Sequence, residues 1–298
     1  MTPRTRTPSV RSLLFAMKGS IIPVIWPRVL YTMLLSLVVV WVDYHFFSLH
    51  VGLNAAPLTL MGLTLAIFLG FRNTVAYQRW WEARTLWGDV IIATRNLARQ
   101  SLAFLPDAPV AQRRQLMHGL IAFTHGLRHH LRGSDPSADL GPWLPEAERA
   151  AILAAPNRPS ALLARSGVAF ASAVRAQGAD AILLASIDRE QASLSHALGG
   201  CERIQSTPIP YAYILLLHRT VHIYCFLLPF CLVGLMGWFT PLVVGVLAYT
   251  FFGLDALGDQ IEDPFDVLPN DLPLDAYCLT VQNDLLALMG EAPLRTPA

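Results

Sequence analysis

"LTLAIFLGFRNTVAYQRWWEARTLWGDVIIATRNLARQ", residues 63–100, opens as an uncharged apolar run and passes into tryptophans and paired charges with no stop signal between them. Read as a helix at about 100° per residue, positions four apart stay on one face. Leu63, Ile67 and Phe71 then form a bulky apolar stripe, and Gly62, Ala66 and Gly70 form a small-residue stripe beside it. Small residues at this spacing let another helix approach closely, which is how helices pack where no hydrophobic drive separates them from lipid. The bulky stripe faces something else. Lipid is one answer; the axis of a ring of identical helices, where the stripe would make a hydrophobic constriction, is the other. Periodicity alone does not choose. Beyond Phe71 the register continues through Arg72, Asn73, Thr74, Gln78, Arg79, Glu82, Arg84 and Asp89, while Trp80, Trp81 and Trp87 suit a membrane-interface belt. This helix is expected to leave the bilayer and become cytoplasmic.

The whole chain agrees with a membrane setting. Of 298 residues, 54% are hydrophobic and only 14% charged, which points to an integral membrane protein. A net charge of +1 gives no reason to expect a nucleic-acid partner. Cys201, Cys225, Cys231 and Cys278 show no CxxC pairing, so neither a disulfide framework nor a zinc knuckle is read, and no metal or cofactor is expected. The basic N-terminus has a short apolar segment and no small-residue cleavage site, and is read as retained.

Four spans are expected. Residues 29–42 are uncharged between Arg28 and Asp43, and the apolar stretch continues to Leu49. Residues 51–71 are uncharged throughout. From 204 to 254 the only formal charge is Arg219, and "GWFTP" at 237–241 offers a turn that divides the run into a third and a fourth span. Arg4, Arg6, Arg11, Lys18 and Arg28 precede the first span, whereas the connections at 43–57 and 237–241 carry no Lys or Arg, which places both termini in the cytoplasm. The expected organisation is a cytoplasmic N-terminal segment (1–20), spans one and two (21–78), a helical cytoplasmic region (79–203), spans three and four (204–256) and an acidic cytoplasmic C-terminal segment (257–298).

Within the cytoplasmic region, residues 107–133 carry Leu116, Leu120, Phe123 and Leu127 at helical spacing and end at Gly133, and residues 180–200 end at a Gly pair suited to a C-terminal cap. Between them, 133–149 is a Pro- and Gly-punctuated connection with apolar anchors. His118, His125, His129 and His130 share one helix, but without an HExxH frame they read as solvated or packing residues. Arg219, flanked by His218 and His222 in an apolar span, is costly there and reads either as a structural ion-pair member, with an acid near Asp255 as its partner, or as part of the conduction route; the structural reading is preferred. The Pro-rich "PIP" and "DLPLD" are helix punctuation.

Three segments carry a family resemblance: "IFLGFRNTVAYQRWWEARTLWG" (67–88), "GGCERIQSTPIPYAYILLLHRTVHIYCFLLPF" (199–230) and "IEDPFDVLPNDLPLDAY" (261–277). Together they resemble the bestrophin family, in its bacterial branch, over nearly the whole chain. The resemblance implies an all-α homopentameric channel in the bacterial inner membrane, with four spans per subunit, membrane lipid around it and one central path for monovalent ions. The family's neck, three hydrophobic residues spaced four apart, maps to Leu63, Ile67 and Phe71. Its cytoplasmic aperture, an apolar residue seventeen positions before the GG pair, maps to Ile182. Bacterial relatives imply a cation-selective channel, with an anion channel of the same fold as the alternative. Seven acids and no base from Asp255 to Asp275 are compatible with cation attraction or with a solvated surface. Animal members hold calcium in a dense acidic run; here Pro269 and Pro273 interrupt the acids, and a preformed clasp of six to eight converging oxygens is not expected. An enzyme would need a catalytic constellation that the spacings do not supply. A non-conducting membrane scaffold would explain the small-residue stripe but not the bulky one.

Overall fold

A computed structural model of the chain describes residues 17, 19–46 and 54–292. Residues 1–16 and 18 of the N-terminal segment and the connection at 47–53, where the first span was expected to end and the second to begin, lie outside the described residues.

The described residues form helices joined by short turns: α1 (Ile22–His45), α2 (Ala55–Phe104), α3 (Val110–Arg132), α4 (Ser137–Leu140), α5 (Glu146–Ala154), α6 (Arg158–Ala176), α7 (Ala181–Ser206), α8 (Tyr211–Met236), α9 (Thr240–Glu262) and α10 (Leu274–Leu288). Three stretches are long and apolar enough to cross a bilayer: Ile22–His45, part of Ala55–Phe104, and Tyr211–Glu262. The last is broken at Gly237–Phe239 by a 3-10 turn, with Gly237 at φ 53°, so it comprises the two helices α8 and α9. At 1.5 Å per residue α1 extends about 36 Å and α2 about 75 Å, against a hydrocarbon core of about 30 Å. α2 is therefore far longer than a span requires, and it runs unbroken through the change of composition at Phe71 and through Gly88.

The chain forms two compact units. The first comprises the described residues up to Arg79, together with Pro208–Asp263 and Leu268–Asn270. Here α1, α8 and α9 pack on one another, around a core that includes Ile25, Leu65, Leu69, Val221, Cys225, Val244 and Phe252. The second comprises Trp80–Thr207, Pro264–Val267 and the remainder from Asp271. Its central helix is α3, buried on almost every side from Leu116 to Leu131, with Leu116, Leu120, Phe123 and Leu127 among the enclosed residues. α6, α7 and α10 supply the surround. The acidic C-terminal segment thus contains a core helix: Cys278, Val281 and Leu285 of α10 are fully buried.

Several sequence expectations meet the structure directly. Gly133 ends α3 in the left-handed conformation (φ 61°), as expected for a glycine cap. Pro210 and Pro273 stand immediately before α8 and α10. The connection at 133–149 holds the anchors Leu140 and Leu144, both buried. The Gly199–Gly200 pair, by contrast, does not end α7, which continues to Ser206. A Cβ on Gly200 would lie 2.8 Å from a Leu86 methyl, so this glycine allows α7 to approach α2 rather than to stop. Trp87 is likewise not an interface residue: it is wholly buried, with its ring 6.0 Å from that of Tyr277.

The histidines of α3 go separate ways. His125 is buried and meets Gln282 at 3.0 Å, His129 meets Asp139 at 2.9 Å, and His130 meets Glu202 at 2.9 Å. Burial lowers the His125 pKa, so the ring is held neutral. Burial pushes Asp139 and Asp275 upward, but hydrogen bonds and charge from Arg128, His129 and Arg132 more than offset it and hold both below the usual carboxylate range. Burial also pushes the Cys201 and Cys278 thiols up to about 12, which makes them inert core groups.

Candidate functional site: an apolar face on α2 and the charged cluster behind it

The orientation of α2 in its first unit follows from which residues it buries. Leu58, Gly62, Leu65, Leu69, Arg72 and Ala76 are covered by the chain, and their spacing of three and four defines one face. Leu63, Ile67 and Phe71 lie about half a turn away at 100° per residue. They are 61%, 49% and 62% exposed, high values for a large apolar triad. Burying one such side chain contributes about 1.5–3 kcal/mol, so the stripe has a strong drive to meet lipid or other copies of itself.

The small-residue stripe divides. Gly62 is packed within its own chain, where a Cβ would lie 2.5 Å from the hydroxyl oxygen of Tyr224 on α8. Ala66 and Gly70 are exposed, and a Cβ on Gly70 would meet nothing within 4 Å. The stripe drifts around the helix, so its first member contacts α8 while the other two remain open.

Arg72 follows Phe71 directly but points to the buried side. Its side chain is fully buried, and Nη1 donates to Asp255 of α9 at 3.0 Å. Nη2 donates to Asp259 and reaches Glu262 at 3.4 Å. The second Asp255 oxygen accepts from His218 Nδ1 at 2.7 Å, an arrangement that fixes this ring's proton on Nδ1. Asn73 adds a bond to the Leu254 carbonyl at 3.1 Å, and Arg79 Nε donates to the Glu262 carbonyl at 3.2 Å. Arg72, Asn73 and Arg79 thus tie α2 to the C-terminal end of α9.

This cluster corrects the expected role of Arg219. Asp255 does have a cationic partner, but it is Arg72, supported by His218, while Arg219 is exposed. A sequence signal for Arg72 existed: it continues the Leu58, Leu65, Leu69 series and therefore belongs to the buried face. The atoms of His218, Asp255 and Asp259 lie within 4.8 Å of one another, a spacing that would suit a metal. Arg72 already bridges the two carboxylates, and a guanidinium cannot lose its proton to make room for a second cation.

The acids of the 255–275 stretch are largely committed inside the chain. Asp255, Asp259 and Glu262 converge on Arg72, and Asp275 is held by Arg128 at 2.9 Å and Arg132 at 2.8 Å. A carboxylate paired in this way contributes little field to a passing ion, which weakens the case for cation attraction.

Ile182, the mapped aperture residue, is the second residue of α7 and is 73% exposed. Asp180 caps the helix by accepting from the Ile182 N–H at 2.9 Å, which fixes the backbone from which this side chain projects.

Long apolar helices around a buried ion-pair cluster, with an exposed apolar stripe on one of them, define an all-helical membrane protein. Residues 1–287 match the family described as Bacterial/Fungal Bestrophin protein. The chain is 42% identical over 287 residues to a voltage-dependent anion channel-forming protein of Mesorhizobium japonicum, covering 96% of this chain and 92% of that one. It is 38% identical over 281 residues to the voltage-dependent anion channel-forming protein YneE of Escherichia coli K12, covering 94% and 92%. The crystal structure of a bacterial bestrophin homolog from Klebsiella pneumoniae superposes with a TM-score of 0.85 at 41% identity, covering 89% of this chain and 98% of that one. The chain belongs to the bestrophin family, and the protein is an ion channel rather than an enzyme.

Proposed function

We propose that this protein assembles as a homopentamer with four spans per subunit and conducts monovalent anions along the axis bounded by five copies of α2. Leu63, Ile67 and Phe71 form its neck and Ile182 its cytoplasmic aperture, with both termini in the cytoplasm of the inner membrane. The observation that carries this reading is the exposed triad on the side of α2 opposite the face its own chain buries. Five such stripes around an axis would give an apolar constriction that an ion crosses only with its water. The anion preference replaces the cation preference implied by the resemblance to bacterial relatives. It is supported by the names of the Mesorhizobium and Escherichia relatives and by the internal pairing of Asp255, Asp259, Glu262 and Asp275. The deciding experiment is the reversal potential of the purified protein in a planar bilayer under a potassium chloride gradient. A potential near the chloride equilibrium value is expected, and one near the potassium value would assign the channel to cations.

Ile182→Ala is expected to raise the permeability of large anions relative to small ones while leaving the reversal potential in that gradient near its wild-type value. An apolar ring offers no ligand in exchange for water, so its width decides passage. Unchanged permeability ratios in a folded Ile182→Ala oligomer would place the aperture elsewhere.

The divided small-residue stripe predicts two different failures. Gly62→Ala drives a methyl into Tyr224 and should destabilise the subunit by about 1–3 kcal/mol, the usual cost of overpacking. Ala66→Leu adds bulk where the subunit has room, so it should leave the subunit fold intact and weaken the oligomer. Thermal unfolding and size-exclusion profiles in detergent separate the two effects; an Ala66→Leu oligomer as stable as wild type would turn this face to lipid.

A further inference from the structure

The first unit holds a cavity of about 520 Å³ between α1, α8 and α9, within the range of about 300–1,000 Å³ typical of ligand sites. Tyr31, Ile223, Phe226 and Phe252 are among its walls; among the described residues that line it, Arg28 is the only formally charged side chain, and none is Asp or Glu. The Arg28 guanidinium lies 6.0 Å from the centre of the Phe252 ring. Its Nη1 is shut off from solvent and has no hydrogen-bond partner among the described residues. A buried charged donor without an acceptor is costly, and the described residues supply no anion here to relieve it. On the facing helix, His222 also lines the cavity and commits Nδ1 to the His218 carbonyl at 2.8 Å, which leaves Nε2 to accept from a hydroxyl.

We propose that this cavity holds one anionic phospholipid, its phosphate on Arg28, a headgroup hydroxyl on His222 and an acyl chain along Tyr31, Ile223 and Phe226. The inference rests on the membrane reading above. A lipid fits better than a free anion because Tyr31, Ile223 and Phe226 are 55%, 53% and 44% exposed, and a small anion would leave that apolar wall uncovered. Arg28 lies in the second turn of α1, near one end of a span, where phosphate groups reside, and basic pockets between spanning helices suit anionic headgroups. The occupant would touch α8 and α9, the same two helices that hold His218 and Asp255.

The test measures bound lipid and not current, so a protein that fails to conduct is not confused with an empty cavity. The full-length oligomer, equilibrated with equal phosphatidylglycerol and phosphatidylcholine, is examined by native mass spectrometry. The wild type should retain phosphatidylglycerol over phosphatidylcholine by about tenfold, a difference of about 1.4 kcal/mol. Arg28→Gln should bring the ratio to parity, Arg28→Lys should preserve most of it, and Ile223→Trp, which fills the trough, should reduce retention of both lipids. Equal retention of the two lipids by the wild type would overturn the proposal, as would an unchanged ratio in Arg28→Gln. Displacement of the lipid by inorganic phosphate would assign the site to a free anion instead. Protection of Ile223→Cys from a membrane-soluble alkylating reagent only in the assembled oligomer would place a second copy of the chain on this face, and would equally overturn it.

Discussion

Arg72→Met is expected to lower the thermal midpoint of the purified protein by about 10 °C, because breaking one side of a buried ion pair costs about 3–5 kcal/mol. The cost comes from what remains. Asp255 is fully buried, and without the guanidinium its charge is left to His218 alone. A single hydrogen bond from the imidazole replaces neither the charge nor the donor that the guanidinium supplied. The double variant Arg72→Met with Asp255→Leu should recover most of the loss, since an apolar pair of similar volume removes the stranded charge along with its partner. Asp259 is partly exposed and Glu262 has other partial access, so they tolerate the loss of Arg72 better than Asp255 does. A single variant that melts with the wild type would remove this cluster from the account of stability. The same substitution should also reduce current. Arg72 fixes the rotation of α2 about its axis, and with it the direction in which Phe71, its immediate neighbour, points.

Replacing Leu63, Ile67 and Phe71 together by Ala should have the opposite signature. All three are exposed in the subunit, and substitutions at such positions cost little, within about 0.5 kcal/mol each. The fold should therefore survive with an unchanged midpoint. Single-channel conductance should rise several-fold, because a wider and less apolar neck lowers the barrier to water and ion entry, and each ~1.4 kcal/mol removed is a factor of ten in rate. Conductance and gating identical to wild type, in an oligomer of normal stability, would mean that these side chains face lipid. The two experiments together separate the role of α2 as a structural element from its role as a wall: Arg72 variants should lose stability and current together, and the alanine triad should change current alone.

The sequence by itself determined the helices and the long α2, since hydropathy, helical period and punctuation by Pro and Gly are local properties of the chain. Gly133, Pro210 and Pro273 act on their own backbone, so their effects could be read without a partner. The shared face of Leu63, Ile67 and Phe71 was legible for the same reason: positions four apart share a face in any helix, whatever surrounds it.

Tertiary structure decided which charges meet and which glycines make contacts. Arg72 and Asp255 are 183 residues apart, and their pairing depends on how α2 and α9 are rotated toward each other, which no local pattern encodes. Arg219 has the costlier position by hydropathy, yet it lies on an exposed side of α8, and the guanidinium that enters the core is the one on the leucine face of α2. Gly200 has the sequence signature of a cap but sits inside α7 because the side chain of Leu86 needs the space of its missing Cβ. Trp87 has the amphipathic ring of an interface residue, but the packing of the second unit encloses it completely. In each case the deciding quantity is the approach of two helices distant in sequence, and only their packing sets it.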